Sequence, residues 1–255
     1  MALSKEHIFG FDFINDHGYD NILKAVLSWE YKKGAALPFF ITPNVDQIVK
    51  FEQEEYSSLK AFLSQSAFIL PDGQPIVWSS KLLGKSLSSR LTGADFFKES
   101  FLAFEPYYKE SLFVVSSEIL ASKLKERGIH TYVPPFFNIN DDALINKMTE
   151  EIVQMLNKNP CRFVFMGVGC PKQEILSKNI FNALEAMGAV NMPLFLLLGA
   201  SYEFYYKLRK RAPKFFQKLG IEWFYRFIQE PRRMFQRYFV DDIKFISILF
   251  REWGK

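Results

Sequence analysis

The chain has 255 residues, 49% of them hydrophobic, with a net charge of +4. That profile excludes a disordered or fibrous chain and suits one large α/β domain, or one domain with an appendage. Its two cysteines, Cys161 and Cys170, exclude a disulfide framework and read as a reducing compartment.

From the N-terminus, no basic segment leads into a long apolar stretch, so no signal peptide is expected. Apolar runs then predict short strands at residues 8–13, 39–42, 67–70, 112–115, 131–133, 163–166 and 194–198. Several are apolar throughout, as in parallel strands covered on both faces. Helical spacing falls between them, at residues 18–33, 118–127, 141–157 and 171–187. Such alternation predicts a Rossmann-like, mostly parallel sheet flanked by helices, spanning residues 1–201. The longest apolar runs, at residues 192–200 and 243–250, fall short of the roughly 20 residues of a membrane span. A soluble or membrane-peripheral protein is expected.

The pattern changes over residues 202–255, where no strand is predicted and a basic, aromatic helical appendage is expected. Residues 205–255 hold thirteen Lys and Arg against five Asp and Glu, an excess of eight positive charges, so the remainder carries four net negative ones. Such a tail points toward phosphate, an anionic membrane surface or nucleic acid. Its interleaved rings fit an amphipathic helix lying in a membrane interface better than a merely solvated face. The 28 Phe residues also leave room for rings on a surface that meets lipid or a second copy of the chain.

In an open parallel sheet, ligands sit beyond the strands' carboxyl ends. Thr42-Pro43-Asn44 follows the second predicted strand and is either a strand exit with a helix cap or a pair of hydrogen-bonding groups for a ligand. Pro71-Asp72-Gly73 follows the third; Asp72 is either a turn or cap residue or a carboxylate placed to take a proton. Arg90 to Asp95 precede a helical run: Thr92 or Asp95 can cap it, and Arg90 can pair with phosphate or carboxylate. The strongest local signal is Gly167-Val168-Gly169-Cys170-Pro171-Lys172-Gln173-Glu174, a glycine turn opening a helix, which suits phosphate or a uracil carbonyl. It is neither GxGxxG nor a P-loop. Cys170 reads as a small filler. No Asp-x-Asp and no Cys/His metal spacing occurs, so no metal and no cofactor is expected.

Thr42-Pro43-Asn44, FILPDG at 68–73, RLTGADFF at 90–97, MGVGCPKQE at 166–174 and KRAPKFFQKLGIEWFYRFIQEPRR at 210–233 occur in that order. Together they resemble the WecG/TagA/CpsF family of bacterial glycosyltransferases. The resemblance implies an inverting, metal-independent transfer from a UDP-sugar of the ManNAc, ManNAcA or GlcA type. The implied acceptor is a polyprenyl-pyrophosphate-linked saccharide, at the inner face of the cytoplasmic membrane, in surface polysaccharide synthesis. It also implies that the appendage, residues 202–255, contacts UDP and the membrane. Asp72 would be the base, with Thr42 and Asn44 positioning substrate. The expected substrate contacts are Arg90, Thr92, Asp95, Gly167, Gly169, Pro171, Lys172, Gln173, Glu174 and Glu203, with Lys210, Arg211, Arg226, Arg232, Arg233 and Arg237 from the appendage.

The family often has Phe-Asp-Phe after the glycine of its last core strand, where this chain has Gly199-Ala200-Ser201-Tyr202-Glu203-Phe204, so its carboxylate is retained but lengthened. The glycine before Lys-Arg-Ala-Pro is replaced by Tyr205-Tyr206-Lys207. Both changes bear on pocket shape and donor choice. The rival expectations are a sugar-nucleotide hydrolase and a non-catalytic membrane or nucleic-acid adaptor; on the main reading no nucleic-acid partner is expected, and the aromatic content permits a homo-oligomer without requiring one.

Overall fold

A computed structural model describes residues 3–189, 191–213, 215–216, 222–236 and 242–254. Six parallel strands form the sheet: β3 (Leu37–Ile41), β4 (Ser66–Ile69), β5 (Ser111–Val114), β6 (His130–Tyr132), β7 (Phe163–Met166) and β8 (Leu194–Leu197). Their order is β4-β3-β8-β7-β5-β6. The chain runs outward from β3 to β4, crosses to β5, and returns through β7 to place β8 between β7 and β3. Helices cover both faces, so the fold is the expected Rossmann-like α/β sheet.

Period-two side chains divide the strands between two cores. Phe39, Ile41, Val164, Met166, Phe195 and Leu197 pack into one, with α2 (Val45–Phe51), α3 (Ser57–Leu63), α4 (Gln74–Leu82), α7 (Asp142–Lys158) and α8 (Lys172–Ala186). Phe40, Phe113, Phe163, Phe165 and Leu196 pack into the other, with α1 (Asp20–Leu27), α5 (Gly93–Ser100) and α6 (Glu118–Lys125). Because neither face of the inner strands meets water, they read as nearly unbroken apolar runs, while β6 at the edge is only partly buried. Many rings are consumed here: Phe113 stacks on Phe165 at 4.2 Å and Phe40 on Phe96 at 4.5 Å.

Two expectations are corrected. Residues 8–13 are not one strand of the sheet; β1 (Lys5–Ile8) and β2 (Phe11–Ile14) form an antiparallel hairpin of their own. Phe9 (φ 56°) and Gly10 (φ 79°) reverse the chain in the middle of that apolar run. The helix expected over 18–33 is only Asp20–Leu27, and the Ser28 hydroxyl beyond it turns back onto Lys24 O at 2.9 Å.

Beyond β8, the regular elements among the described residues are helical: α9 (Ser201–Tyr205), then Glu222–Gln229, Pro231–Phe235 and Lys244–Trp253. Tyr202 of α9 is fully buried, edge-on to Phe97 at 4.7 Å. Helix Lys244–Trp253 returns to the body: Phe245 meets Phe9 at 5.1 Å, Arg251 pairs with Glu52, and Glu252 Oε1 accepts from Phe9 N at 3.2 Å.

Candidate active site

A cleft of about 640 Å³ opens beyond the carboxyl ends of β3, β4, β7 and β8. Thr42, Asn44, Asp72, Thr92, Gly169, Gln173 and Arg211 all line it. Residues from five separate motifs therefore meet at the crevice where the strand order reverses.

Local chemistry explains each placement. Asn44 caps α2: its Oδ1 accepts from Gln47 N at 3.1 Å, and Gln47 Oε1 accepts from Asn44 N at 3.1 Å. Asp72 N donates to Pro43 O at 3.1 Å, tying the loop after β4 to the loop after β3. The N-cap of α4 is Gly73 (φ 139°) and not Asp72, which instead lines the cleft. Thr92 caps α5 by accepting from Asp95 N at 3.0 Å, and its hydroxyl donates to Asp95 Oδ2 at 2.8 Å. The Tyr19 hydroxyl donates to Thr92 O at 3.2 Å and accepts from Thr92 N at 2.8 Å, fixing this turn.

Charge is concentrated on one wall. Arg211 grips Asp95 with both ends of its fork, at 2.6 and 2.9 Å. Glu222 bridges two guanidiniums, 3.7 Å from Arg211 Nε and 3.6 Å from Arg90 Nη1. Burial alone raises the pKa of Asp95, but Arg211, Thr92 and Arg90 together hold it below the usual carboxylate value. Burial disfavours the charge on Arg211, which Asp95, Glu222 and Asp72 more than restore.

The other expected residues are placed as follows. Gln173 is 3% exposed on the cleft wall; its Oε1 accepts from Gly199 N at 3.1 Å. Gly169 (φ 79°) forms the turn, its carbonyl accepting from Gln173 N at 2.9 Å, and Pro171 takes the N-cap position of α8. Several expected residues stand off the cleft lining, among them Pro171 and Asp95, which reaches the site through its pairing with Arg211. Gly167 packs under Tyr202, Lys172 lies over the rings of Phe136 and Phe137 at 4.4 and 4.7 Å, and Glu174 is buried behind the wall. Glu203 is off the lining itself, accepting from Ser116 Oγ at 2.6 Å, with the cleft-lining Arg209 3.8 Å away. Arg90 is off the lining and borders the site through Glu222, at 3.6 Å, and through its charge on Asp95, and Lys210 and Arg232 are exposed away from the lining. The side chains of Arg226 and Arg233, and all of Arg237, lie outside the described residues. Cys170 lines the cleft with its thiol pKa pushed up, by burial and then by Glu174, as befits a filler.

Sequence reasoning missed Gln47, Lys50, Arg209 and Glu222, which all line the cleft. Gln47 had a usable signal, three residues after an N-cap Asn. Arg209 lies in a run of basic residues that offers no means of choosing among them.

Gly167 is a packing position. A Cβ there would stand 2.7 Å from the Tyr202 ring and 3.2 Å from Val114 O. Gly167→Ala is expected to cost about 1–3 kcal/mol and to lower the melting temperature by roughly 2–4 °C for each kcal/mol. An unchanged melting curve would show that the ring can move aside.

A parallel α/β sheet with a charged, amide-lined crevice at its reversal point is the arrangement in which ligands are held beyond the strand ends. The chain belongs to the glycosyl transferase WecG/TagA/CpsF family, whose model matches residues 6–255. It is a glycosyltransferase. Among its relatives is an N-acetylglucosaminyldiphosphoundecaprenol N-acetyl-beta-D-mannosaminyltransferase of Bacillus spizizenii, 29% identical over 80% of this chain and 75% of the relative. Proteins of the same name in Bacillus subtilis (strain 168) and Staphylococcus aureus (strain MW2) are 28% and 26% identical, over 87% and 77% of this chain and 78% and 74% of theirs.

Proposed function

We propose that the chain transfers an N-acetylmannosamine-type sugar, with inversion and without a metal ion, from its UDP derivative to a polyprenyl-pyrophosphate-linked GlcNAc. The observation that carries this reading is the convergence of Asp72, Asn44, Gln173 and Arg211 on one cleft. The relatives' names supply the acceptor and the transferred sugar. Asp72 takes the proton from the acceptor hydroxyl, whose oxygen attacks the anomeric carbon on the face opposite UDP. Arg211, with Arg209 beside the cleft, balances the charge that develops on the leaving diphosphate. Thr42 and Asn44 orient the sugars.

The acceptor is a lipid, so the enzyme works at the inner face of the cytoplasmic membrane, with the appendage, residues 202–255, as its contact. No described helix is long and apolar enough to cross a membrane. Ile243, Ile246, Phe250 and Trp253 stand 53–68% exposed at a three-and-four spacing, and Phe215, Ile228 and Phe235 are similarly bare. Apolar rings set among Lys and Arg suit an anionic interface.

The test offers UDP-N-acetylmannosamine and a soluble-tailed GlcNAc-pyrophosphoryl lipid, with UDP-glucuronic acid in parallel, and follows disaccharide-lipid formation in EDTA. Product from the first donor, and tighter sedimentation with anionic than with neutral vesicles, are expected. Free sugar released without acceptor would make the chain a hydrolase. Loss of turnover in EDTA would overturn the metal-free step.

A further inference from the structure

Glu174 is the one carboxylate in the glycine-turn motif, and it lies behind the cleft wall, 2% exposed. Its Oε1 accepts from Gln173 Nε2 at 3.0 Å and from Gln47 Nε2 at 3.3 Å. Neither amide is free to choose its orientation. Gln173 Oε1 is taken by Gly199 N at 3.1 Å, and Gln47 Oε1 by Asn44 N at 3.1 Å, so in both cases the NH₂ end must face Glu174. One oxygen atom thus joins three loops: the α2 cap after β3, the turn after β7 and Gly199 after β8. Glu174 Oε2 is buried as well, and the Cys170 thiol beside the carboxyl eases its charge.

We propose that Glu174 is a positioning residue, which holds the amides of Gln47 and Gln173 in one orientation and sets the spacing of the three loops that carry Asn44, Gln173 and Gly199. Burial pushes its pKa up. A protonated carboxyl still offers a carbonyl oxygen to both amides, so the tie holds in either state. This inference rests on the reading that sugar transfer takes place in this cleft. Without the tie, either amide can turn over, which sets an NH₂ against the N–H of Gly199 or Asn44 and breaks the bond that holds that loop.

The test compares wild type with Glu174→Gln, Glu174→Leu and Glu174→Asp. Steady-state transfer from UDP-N-acetylmannosamine is measured beside backbone hydrogen exchange at segments 44–48 and 197–200. Glu174→Leu should lower kcat by about a hundredfold, the loss that misplaced reacting groups bring, while the donor KM moves by less than about threefold. Exchange should quicken in both segments ahead of the rest of the sheet. Glu174→Gln, which keeps an acceptor oxygen, should stay within about threefold of wild type in kcat. Glu174→Asp keeps the charge but withdraws the oxygens by one carbon–carbon bond, and should resemble the Leu variant in weaker form; it decides the matter if Glu174→Leu fails to fold. The proposal is overturned if the Leu or Asp variant matches wild type in both measurements, or if Gln loses as much as Leu. Should wild type transfer no sugar from any UDP-sugar, the function proposed above falls, and the exchange measurement alone still decides whether Glu174 ties the loops.

Discussion

Asp72→Asn should fold, bind UDP as tightly as wild type, and turn over slower by a factor of about 10² to 10⁴, the usual contribution of a positioned general base. The substitution keeps the side chain's size and removes its negative charge, and with it the capacity to take a proton; Arg211 keeps Asp95 and Glu222 as its other carboxylate neighbours. The structure favours this separation. Asp72 does not cap the helix that follows it, since Gly73 takes that position, so no secondary structure depends on its side chain through a cap. Its backbone N–H, which bonds to Pro43 O, is untouched by the change. Calorimetry with UDP and a product assay check the two halves. Turnover within about threefold of wild type would remove Asp72 from the role. Loss of UDP binding in step with turnover would make it a binding group.

The sheet was legible because its strands are apolar on both faces. Residues 163–166 coincide with β7, and β3, β4, β5, β6 and β8 lie within two residues of their expected bounds. The hairpin was not, because Phe9 adopts a positive φ at a non-glycine position, and the apolar residues of 8–13 outweighed Gly10 as a turn signal. The cleft was legible wherever a motif follows a strand, since topology sends every such loop to the same edge of the sheet. What a linear motif does not carry is direction. Lys172, Gln173 and Glu174 are consecutive on a helix, where each residue turns about 100° from the last. They accordingly face the Phe136 and Phe137 rings, the cleft and the buried wall. Pairings across long sequence separation were equally hidden. Asp95 and Arg211 each looked like a ligand contact, and they hold one another.

That pair sets up the second large effect. Arg211→Met should weaken UDP binding by about tenfold to a hundredfold, the equivalent of one or two charge-assisted hydrogen bonds to the diphosphate. Uridine, which lacks the diphosphate, should bind the variant as it binds wild type. Arg211 is prepared for this role by Asp95, which fixes the guanidinium plane through two bonds while Arg211 lines the cleft. The variant should also lose stability, because Asp95, partly desolvated, is left without its cation; with the two side chains 27% and 16% exposed, the cost falls below the roughly 3–5 kcal/mol of a fully buried pair. Binding and stability separate in the double variant: Asp95→Asn with Arg211→Met should recover most of the stability and none of the UDP affinity. The pH dependence has a definite sign. The folded-state pKa of Asp95 lies below its ordinary value, so the pair stabilises the fold above the unfolded carboxylate pKa and ceases to do so as pH falls through the folded value. Asp95→Asn should therefore flatten the acid side of the stability curve. If Arg211→Met binds UDP as tightly as wild type while its melting temperature drops, Arg211 is a strut for the wall, and the diphosphate is held by other cations.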